Sequence, residues 1–367
     1  MNKIFRIICK SLLILFVLLV LYSLTQPVQW LGKISFYNWI FPGRERLPFG
    51  ENPRIAYNFS LNNLDAMFAS HKLHRAEKQD EDFRVLFIGD SSLWGTLLKP
   101  EETLPGRLDR QEMMIHGKKM KIQTYNLAYP TLALSKDLLI LNRTIQYQPD
   151  LIVWSMTMES FPFDKQLSTA LVENNLSEFL SIAQKTDLHA AWLPASITPD
   201  RYAMTLLGQR RDLADLIRLQ LYGFMWAGTG IDQNYPSEYP KPMTDLDPDA
   251  MFHGIEGPYP DEMMEWDILS AAHRLAGPIP ILIMNEPILM SHGKNSEIRY
   301  NFYYPRQAYD VWRETLLKTC KSNQWPVLDV WDVLPPSDFS NSAIHYDATG
   351  AEKIQKLLSD AMESILN

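Results

Sequence analysis

The chain has 367 residues, which is enough for one large domain or two ordinary ones. Its residues are 46% apolar and 21% charged, a composition that provides a sizeable core and disfavours disorder, collagen-like repeats and coiled coils. A net charge of -8 leaves no overall basic surface to neutralise phosphates, so nucleic acid is not an expected partner. Two cysteines, Cys9 and Cys320, cannot form a disulfide framework, and neither has the spacing of a zinc site.

The amino-terminal segment is typical of a membrane anchor. Residues 7–24 form an apolar stretch that, as a helix, nearly crosses a hydrocarbon layer of ~30 Å. Basic residues precede this stretch and no charge follows it until Lys33, which predicts a cytoplasmic amino terminus. We therefore predict a signal anchor over 1–26, in a single-pass cell-membrane protein whose main domain is extracytoplasmic. A cleaved signal peptide is one alternative, although no Ala-x-Ala follows. An intracellular enzyme with this helix packed as core is another.

The chain after the anchor is predicted to be an α/β protein. Residues 27–82 are interpreted as a juxtamembrane and linker region that contains an amphipathic helix over 58–74 and a charged link over 75–84. From 83 to 367, short apolar runs alternate with helical patterns, which predicts a parallel sheet covered on both faces. The predicted strands are 85–88, 122–127, 151–154, 188–193, 279–284 and 327–330. The predicted helices are 133–146, 212–225, 308–320 and 348–366.

One stretch interrupts this alternation. Residues 226–280 are rich in proline and acidic residues and carry several tyrosines and tryptophans. Long loops in compact domains are usually lids, binding loops or disordered segments. The aromatic residues favour an ordered lid insertion, and a plain surface insertion is the alternative.

Ser91 is the first candidate for chemistry. The run Gly89-Asp90-Ser91-Ser92 follows the first predicted strand, which places Ser91 on a strand-to-helix turn at the carboxyl edge of the sheet. Such folds bind ligands at that edge. A serine there can present its hydroxyl to a cleft while N–H groups at the helix start face a developing oxyanion. The same residues are also typical of a turn and a helix cap, and alone they favour capping.

His345 is the second candidate. It lies in a polar loop just before the last predicted helix, and Asp347 is the expected N-cap of that helix. A histidine with a pKa near neutral can take the seryl proton and return it to the leaving group when a third group fixes its tautomer. Asn341 is the nearest candidate for the third group. A solvated or structural histidine is the alternative.

Together these residues resemble the SGNH or GDSL hydrolase family. Residues 85–95 look like its first block and 98–104 like the usual sequel, while 125–130 fall where the second block is expected. The resemblance covers 83–367. It implies a three-layer, flavodoxin-like α/β fold, with the parallel sheet flanked by helices.

The resemblance also implies roles for single residues. Ser91 would be the nucleophile and His345 the base, with Asn341 as its orienting partner. The oxyanion hole would use the backbone N–H groups of Ser91 and Ala128, where alanine stands for the family's glycine. Glu159 would occupy the remaining oxyanion position.

Two blocks depart from the family pattern. The third block reads Thr157-Met158-Glu159-Ser160, so Glu159 replaces the oxyanion asparagine. An ionised carboxylate would repel an oxyanion, whereas a protonated one could donate a hydrogen bond. In the last block Ser342 stands where the family has aspartate, which leaves Asn341, or Asp338 reaching around, to orient the histidine. An asparagine in place of that aspartate can lower turnover ~10⁴-fold.

Other residues are predicted to support the site rather than to react. Asp90 belongs to the first block, and Glu286 follows a predicted strand, a position from which we expect it to line the cleft. His253 and His292 have no second ligand at short spacing, so we predict no metal site. No glycine-rich phosphate loop lies between a strand and a helix, and we expect no cofactor.

The sequence therefore predicts a membrane-anchored, extracytoplasmic serine esterase or O-acyltransferase. Its expected substrate, by resemblance, is an acylated glycan of the envelope or of an exported polysaccharide, or a small ester. The alternative is a catalytically silent SGNH-fold envelope protein that binds glycan or an assembly partner, in which Ser91 remains as a helix cap.

Overall fold

The computed structural model describes residues 3–50, 59–190, 192–193, 201–235 and 238–367. The strands are β1 (Asp82–Ile88), β2 (Glu112–Ile115), β3 (Lys118–Asn126), β4 (Leu151–Met156), β5 (Met251–Phe252), β6 (Ile255–Glu256), β7 (Ile281–Asn285) and β8 (Val327–Asp329). The α-helices are α1 (Lys3–Thr25), α2 (Pro27–Leu31), α3 (Tyr37–Ile40), α4 (Leu64–Ser70), α5 (Ser91–Trp94), α6 (Leu104–Leu108), α7 (Leu134–Thr144), α8 (Phe163–Gln166), α9 (Ala170–Asn174), α10 (Leu176–Lys185), α11 (Arg210–Thr229), α12 (Asp267–Ala276), α13 (Arg306–Asn323) and α14 (Ala348–Leu366). Short 3₁₀ helices span Lys72–Arg75, Pro100–Glu102, Ile145–Tyr147, Met158–Ser160, Ile231–Gln233, Asp261–Met263 and Pro336–Asp338.

A six-stranded sheet in the order β2-β3-β1-β4-β7-β8 organises the fold. Its pairings are parallel except at one edge, where β2 and β3 form an antiparallel hairpin. Every residue of β1, β4 and β7 is buried, as expected for central parallel strands with both faces covered. The predicted α/β fold class is confirmed by this topology.

Alternate residues of the central strands supply two separate cores. Leu86 and Ile88 of β1 point into a core shared with α7, α12 and α13. Val85 and Phe87 point to the other face, into a core shared with α6 and α14. Because successive side chains of a strand point to opposite faces, one apolar strand serves both layers. The result is the predicted three-layer arrangement.

One predicted strand is absent. Within 188–193, where Ala191 lies outside the described residues, the chain forms turn and coil. The Leu188 N–H donates to the Ala183 carbonyl at 2.8 Å, which closes the carboxyl end of α10. Trp192 packs on Phe179 of that helix, with ring centroids 5.6 Å apart. The apolar run that predicted a strand therefore completes the packing of a helix end.

The region predicted as a linker contributes to the core. Four of its apolar residues are buried in the core that contains Leu86 and Ile88 of β1: Tyr37, Leu47, Leu64 and Leu73. The predicted helix over 58–74 is shorter, because α4 begins at Leu64 with the Asn63 side chain accepting from the Ala66 N–H at 3.0 Å; residues 51–58 lie outside the described part. The predicted link over 75–84 also ends in a buried element, since β1 begins at Asp82.

The predicted lid insertion has narrower limits than 226–280. Trp226 belongs to α11, and α12 packs in the core at the other end, so the irregular part is 230–266. Its described residues are hydrogen-bonded to the rest of the α/β domain. The Arg299 guanidinium donates to the Asp249 carbonyl at 2.6 Å, and the Lys241 ammonium donates to the Phe339 carbonyl at 2.7 Å. The described residues of the insertion thus form an ordered strap that reaches the loop before α14.

Helix α1 stands apart from these layers. All its described residues are exposed or only partly covered. It is 23 residues long and contains an 18-residue window of mean hydropathy 2.7, so it is long and apolar enough to cross a membrane.

Candidate active site

Ser91 is held in a one-turn helix that is fixed at both ends. At the start, the Asp90 side chain accepts from the Ser92 N–H at 2.8 Å, which is an N-cap. At the end, Gly95 has φ 86, and buried Arg46 donates to its carbonyl at 2.7 Å. Gly89 before the turn is favoured by close packing, because a Cβ there would lie 3.0 Å from the Ser155 side chain. These contacts fix the position of the Ser91 hydroxyl at the carboxyl end of β1.

His345 is placed by a tight loop. The Ser340 N–H donates to the His345 carbonyl at 2.7 Å, and the Asp347 N–H donates to the Asp338 carbonyl at 2.7 Å. The loop between them is fastened to the chain after β7 through the Leu289 N–H, which donates to the Ala343 carbonyl at 2.7 Å. The last helix then begins at Ala348 as predicted, with the Asp347 side chain as its cap.

The structure brings Ser91, His345 and Asn341 together. Ser91 Oγ lies 2.7 Å from His345 Nε2, and His345 Nδ1 lies 2.8 Å from Asn341 Oδ1. An amide oxygen only accepts, so Nδ1 carries the proton and Nε2 is free to accept from the serine hydroxyl. Residues 254 positions apart thus form one hydrogen-bonded chain, serine to histidine to asparagine.

Burial lowers the pKa of His345 from its ordinary 6.5 to about 4. The imidazole is therefore neutral at pH 7, in the form that can accept a proton. No carboxylate is paired with its Nδ1 atom among the described residues, because Asn341 occupies that place. The asparagine orients the ring without adding the negative charge that would stabilise an imidazolium.

The two expected backbone donors differ in their hydrogen bonding. Ser91 is the first residue of α5, so its N–H is not used by a bond within the helix. The Ala128 N–H instead donates to the Asn126 side chain at 3.2 Å. A substrate oxygen would have to compete with the Asn126 side-chain oxygen for the Ala128 N–H. Ala128 is therefore a weaker oxyanion donor than its sequence position implied.

Glu159 does not fit the donor role considered for it. Burial alone would raise its pKa, but hydrogen bonds from His253 and Lys165 outweigh burial and lower it. The Lys165 ammonium lies 2.6 Å from Glu159 Oε1, and His253 Nε2 lies 3.1 Å from Oε2. An ionised carboxylate only accepts hydrogen bonds. Of the two states left open by the sequence, the structure favours the ionised one, so Glu159 cannot donate to an oxyanion.

Asp338, the second candidate for orienting His345, is engaged elsewhere. Its Oδ2 atom lies 2.6 Å from the Lys353 ammonium, and its Oδ1 accepts from the Ser337 hydroxyl at 3.1 Å. Asp338 therefore pairs with α14 rather than with the imidazole.

Asp90 and Glu286 form a buried acid pair behind the nucleophile turn. Burial raises the pKa of both carboxyls, and the Asp90 charge raises that of Glu286 further. The Ser155 hydroxyl donates to Glu286 Oε2 at 3.2 Å. A proton held on the pair removes the repulsion of two adjacent carboxylates. Asp90 adjoins the nucleophile, whereas Glu286 is fully buried and does not line a cleft as its position at a strand end predicted.

Sequence reasoning missed one charged pair beneath the turn. The buried Lys136 ammonium donates to the Gly89 carbonyl at 2.7 Å and to Asp137 Oδ1 at 2.5 Å, and Asp137 Oδ2 accepts from the Trp154 indole at 3.1 Å. All residues from Leu134 to Leu141 are buried. The available signal was the pair of adjacent charges, Lys136 and Asp137, directly before the apolar run 138–141.

His253 and His292, the two histidines considered for a metal site, both lie outside the Ser91 constellation. His253 sits in the β5–β6 turn, where its hydrogen bond to Glu159 raises its pKa and Asp164 lies 3.2 Å from Nδ1. His292 is exposed in the loop after β7.

Comparison with known proteins gives structural likeness only. No family model matches the sequence, and no curated protein matches it significantly. A lipase/acylhydrolase structure from Enterococcus faecalis is 12% identical, covers 78% of this chain and 97% of its own, and has a TM-score of 0.35. A G-D-S-L lipolytic protein from Veillonella parvula DSM 2008 is 9% identical, with 77% and 97% covered and a TM-score of 0.34. A carbohydrate acetylesterase family member from Sinorhizobium meliloti is 13% identical, with 77% and 99% covered and a TM-score of 0.33. These similarities are too low to assign the chain to a family.

Proposed function

We propose that this protein transfers acyl groups from esters through Ser91, as an esterase or an O-acyltransferase. The observation that carries the proposal is the hydrogen-bonded chain from Ser91 Oγ to His345 Nε2 at 2.7 Å and from His345 Nδ1 to Asn341 at 2.8 Å. A serine becomes a nucleophile when an adjacent base takes its proton and a third group orients that base.

The proposed reaction has two halves. Ser91 Oγ attacks the ester carbonyl carbon while its proton passes to His345 Nε2. The tetrahedral intermediate collapses when the bond from carbon to the alcohol oxygen breaks, and Nε2 returns the proton to that oxygen. Water or a second hydroxyl then attacks the acyl group on Ser91 by the same proton route, which restores the free serine.

The expected rate is modest for such a site. The Ser91 N–H is available to the developing oxyanion, whereas the Ala128 N–H already donates to Asn126. An absent oxyanion donor typically costs ~10²–10³ in rate. The neutral Asn341 gives the imidazolium no charge partner, which lowers the rate further.

We place the reaction outside the cytoplasm, on an acylated envelope glycan. The apolar helix α1 and the distribution of basic residues around it support anchoring with the main domain outside. The resemblance of the motifs to SGNH hydrolases supports an ester substrate, and the strap 230–266 supplies aromatic side chains suited to sugar rings. A sugar hydroxyl as acceptor would make the protein a transferase, and water would make it an esterase.

The test uses the full chain purified in detergent. Ser91→Ala and His345→Ala are compared with the exposed controls Ser181→Ala and His74→Ala in hydrolysis of an aryl acetate and in labelling by a fluorophosphonate. Loss of labelling in Ser91→Ala and a fall in kcat of at least ~10³ in both site variants are expected. Equal rates and equal labelling in all five proteins would refute the proposal.

A second candidate function is supported by the third block. Glu159 is ionised and paired where an oxyanion donor is expected, which is compatible with a silent protein that binds glycan or an assembly partner. In that case Ser91 is not labelled by fluorophosphonate, and the Ser91→Ala variant retains the affinity of the wild type for acetylated glycan.

A further inference from the structure

One exposed surface is strongly apolar. We call it the apolar face and define it by six side chains, Trp30, Trp39, Ile40, Ile217, Leu221 and Phe224. Between 39% and 70% of each side chain's surface is exposed. Contiguous exposed apolar residues on this scale mark interaction sites with proteins or membranes. The catalytic residues are not part of this surface.

Helix α11 presents two apolar sides. Leu216, Leu219 and Trp226 are buried against the core. Ile217, Leu221 and Phe224 follow the i, i+4, i+7 spacing of a helix and are exposed. Packing against the core therefore accounts for one side of the helix. On the other side Phe224 is partly covered by Tyr37 and Phe41, while Ile217 and Leu221 stay largely exposed.

The apolar face is continuous with the end of α1. Tyr22, in the last turns of α1, donates from its hydroxyl to the Gln209 side chain at the start of α11, at 3.0 Å. The Gln26 side chain donates to the Met204 carbonyl at 2.9 Å. Further along α11, the Gln220 side chain donates to the Ile34 carbonyl at 3.0 Å and accepts from the Phe36 N–H at 2.7 Å. The helix that could cross a membrane thus ends beside the apolar face.

The charge of this region also fits a lipid surface. Residues 26–41 and 201–229 contain five basic residues and two acidic ones, in a chain whose net charge is -8. Tryptophans beside basic residues are typical of the membrane interface, and an amphipathic helix with such a rim binds anionic headgroups.

We propose that the apolar face lies in the headgroup region of the bilayer that α1 crosses, with α11 parallel to the membrane plane. The inference rests on the membrane anchor of the proposed function. Its ligand is the phospholipid surface itself, and a second copy of the chain on the same face is the competing occupant. Insertion of the face would bury Leu221 about 5–10 Å into the boundary between headgroups and acyl chains.

The test uses the full chain in vesicles of phosphatidylcholine and phosphatidylglycerol. In a Cys9→Ser background, an environment-sensitive fluorophore is attached after Leu221→Cys, Trp39→Cys, Phe16→Cys or Glu352→Cys substitution. Position 16 reports on α1, and position 352 lies on α14, which packs on the other face of the sheet. Quenching by brominated lipids and by aqueous iodide then gives the depth of each label.

Labels at 221 and 39 are expected to be quenched by brominated lipid at depths of about 5–10 Å, while the label at 352 is quenched by iodide alone. Iodide quenching at 221 equal to that at 352, with the label at 16 in lipid, would overturn the inference and leave the anchor intact. A label at 16 outside the lipid would refute both. Protection of 221 from both quenchers would overturn the inference in favour of a second copy.

Discussion

The substitution Asn341→Asp places a negative charge on the atom that lies 2.8 Å from His345 Nδ1. At an effective dielectric constant of 20, two unit charges about 4 Å apart interact by about 4 kcal/mol. An opposite charge at this range moves a pKa by about 1–3 units. The pKa of His345, which burial lowers to about 4, should therefore rise to between about 5 and 7.

The rate should change with the pKa. A carboxylate stabilises the imidazolium that forms when Ser91 loses its proton, so kcat at neutral pH should rise, by up to ~10⁴-fold, the reverse of the aspartate-to-asparagine effect. His345 acts as a base only when deprotonated, so activity is lost as pH falls through its pKa. The acid limb of the pH profile should thus lie at about pH 4 in the wild type and at higher pH in the variant.

The assay is the pH dependence of kcat/KM for an aryl acetate, since this ratio reports the free enzyme's base. Asn323→Asp, at an exposed position of α13, is the matched control and should leave the profile unchanged. An acid limb that stays in place in Asn341→Asp, with normal folding, would refute the role of Asn341 as the partner of His345.

Three further predictions concern buried ionisable side chains. Glu286→Gln should leave the free energy of unfolding within about 1 kcal/mol because the carboxyl is already held neutral, whereas Glu286→Ala should cost about 2–4 kcal/mol in urea unfolding; equal losses would contradict the protonated pair. Arg46→Ala should cost about 3–5 kcal/mol by leaving its acceptors unpaired, against a negligible change in the exposed control Arg110→Ala. Burial lowers the pKa of His71 from 6.5 to about 3, so between these pH values the unfolded chain binds more protons and the free energy of unfolding falls as pH falls. His71→Gln should reduce the slope of the free energy of unfolding against pH by about 1.4 kcal/mol per pH unit. An unchanged slope would contradict the neutral buried imidazole.

The sequence predicted the parallel sheet because its central strands are short apolar runs separated by helical patterns. It predicted α14 to the residue, since Asp347 caps that helix and the apolar period continues to Leu366. It failed at 188–193, where an apolar run can complete a helix end as readily as form a strand. Periodicity does not distinguish these outcomes in short runs.

For the site, local motifs placed Ser91 and His345, while their surroundings depended on tertiary contacts. Nothing in the local pattern links Glu159 to His253, 94 positions away, and that contact decides the charge of the carboxylate. Likewise, the hydrogen bond from the Ala128 N–H to the Asn126 side chain depends on the backbone conformation just after β3, which the motif does not specify. Motifs therefore predicted where the reactive groups lie. Packing determined whether Glu159 is ionised and whether the Ala128 N–H is free to bind an oxyanion.

The segment after α1 is held firmly against the α/β domain. Arg44 is buried against Asp232 at 2.5 Å, and the Tyr37 hydroxyl donates to the Ser70 carbonyl at 2.7 Å, so the chain enters the body within some twenty residues of the anchor. If α1 spans a bilayer as proposed, this attachment would hold Ser91 at a fixed height above the lipid. Substrates would then have to reach that height, and a flexible spacer inserted after α1 would widen the range of heights that the serine can reach.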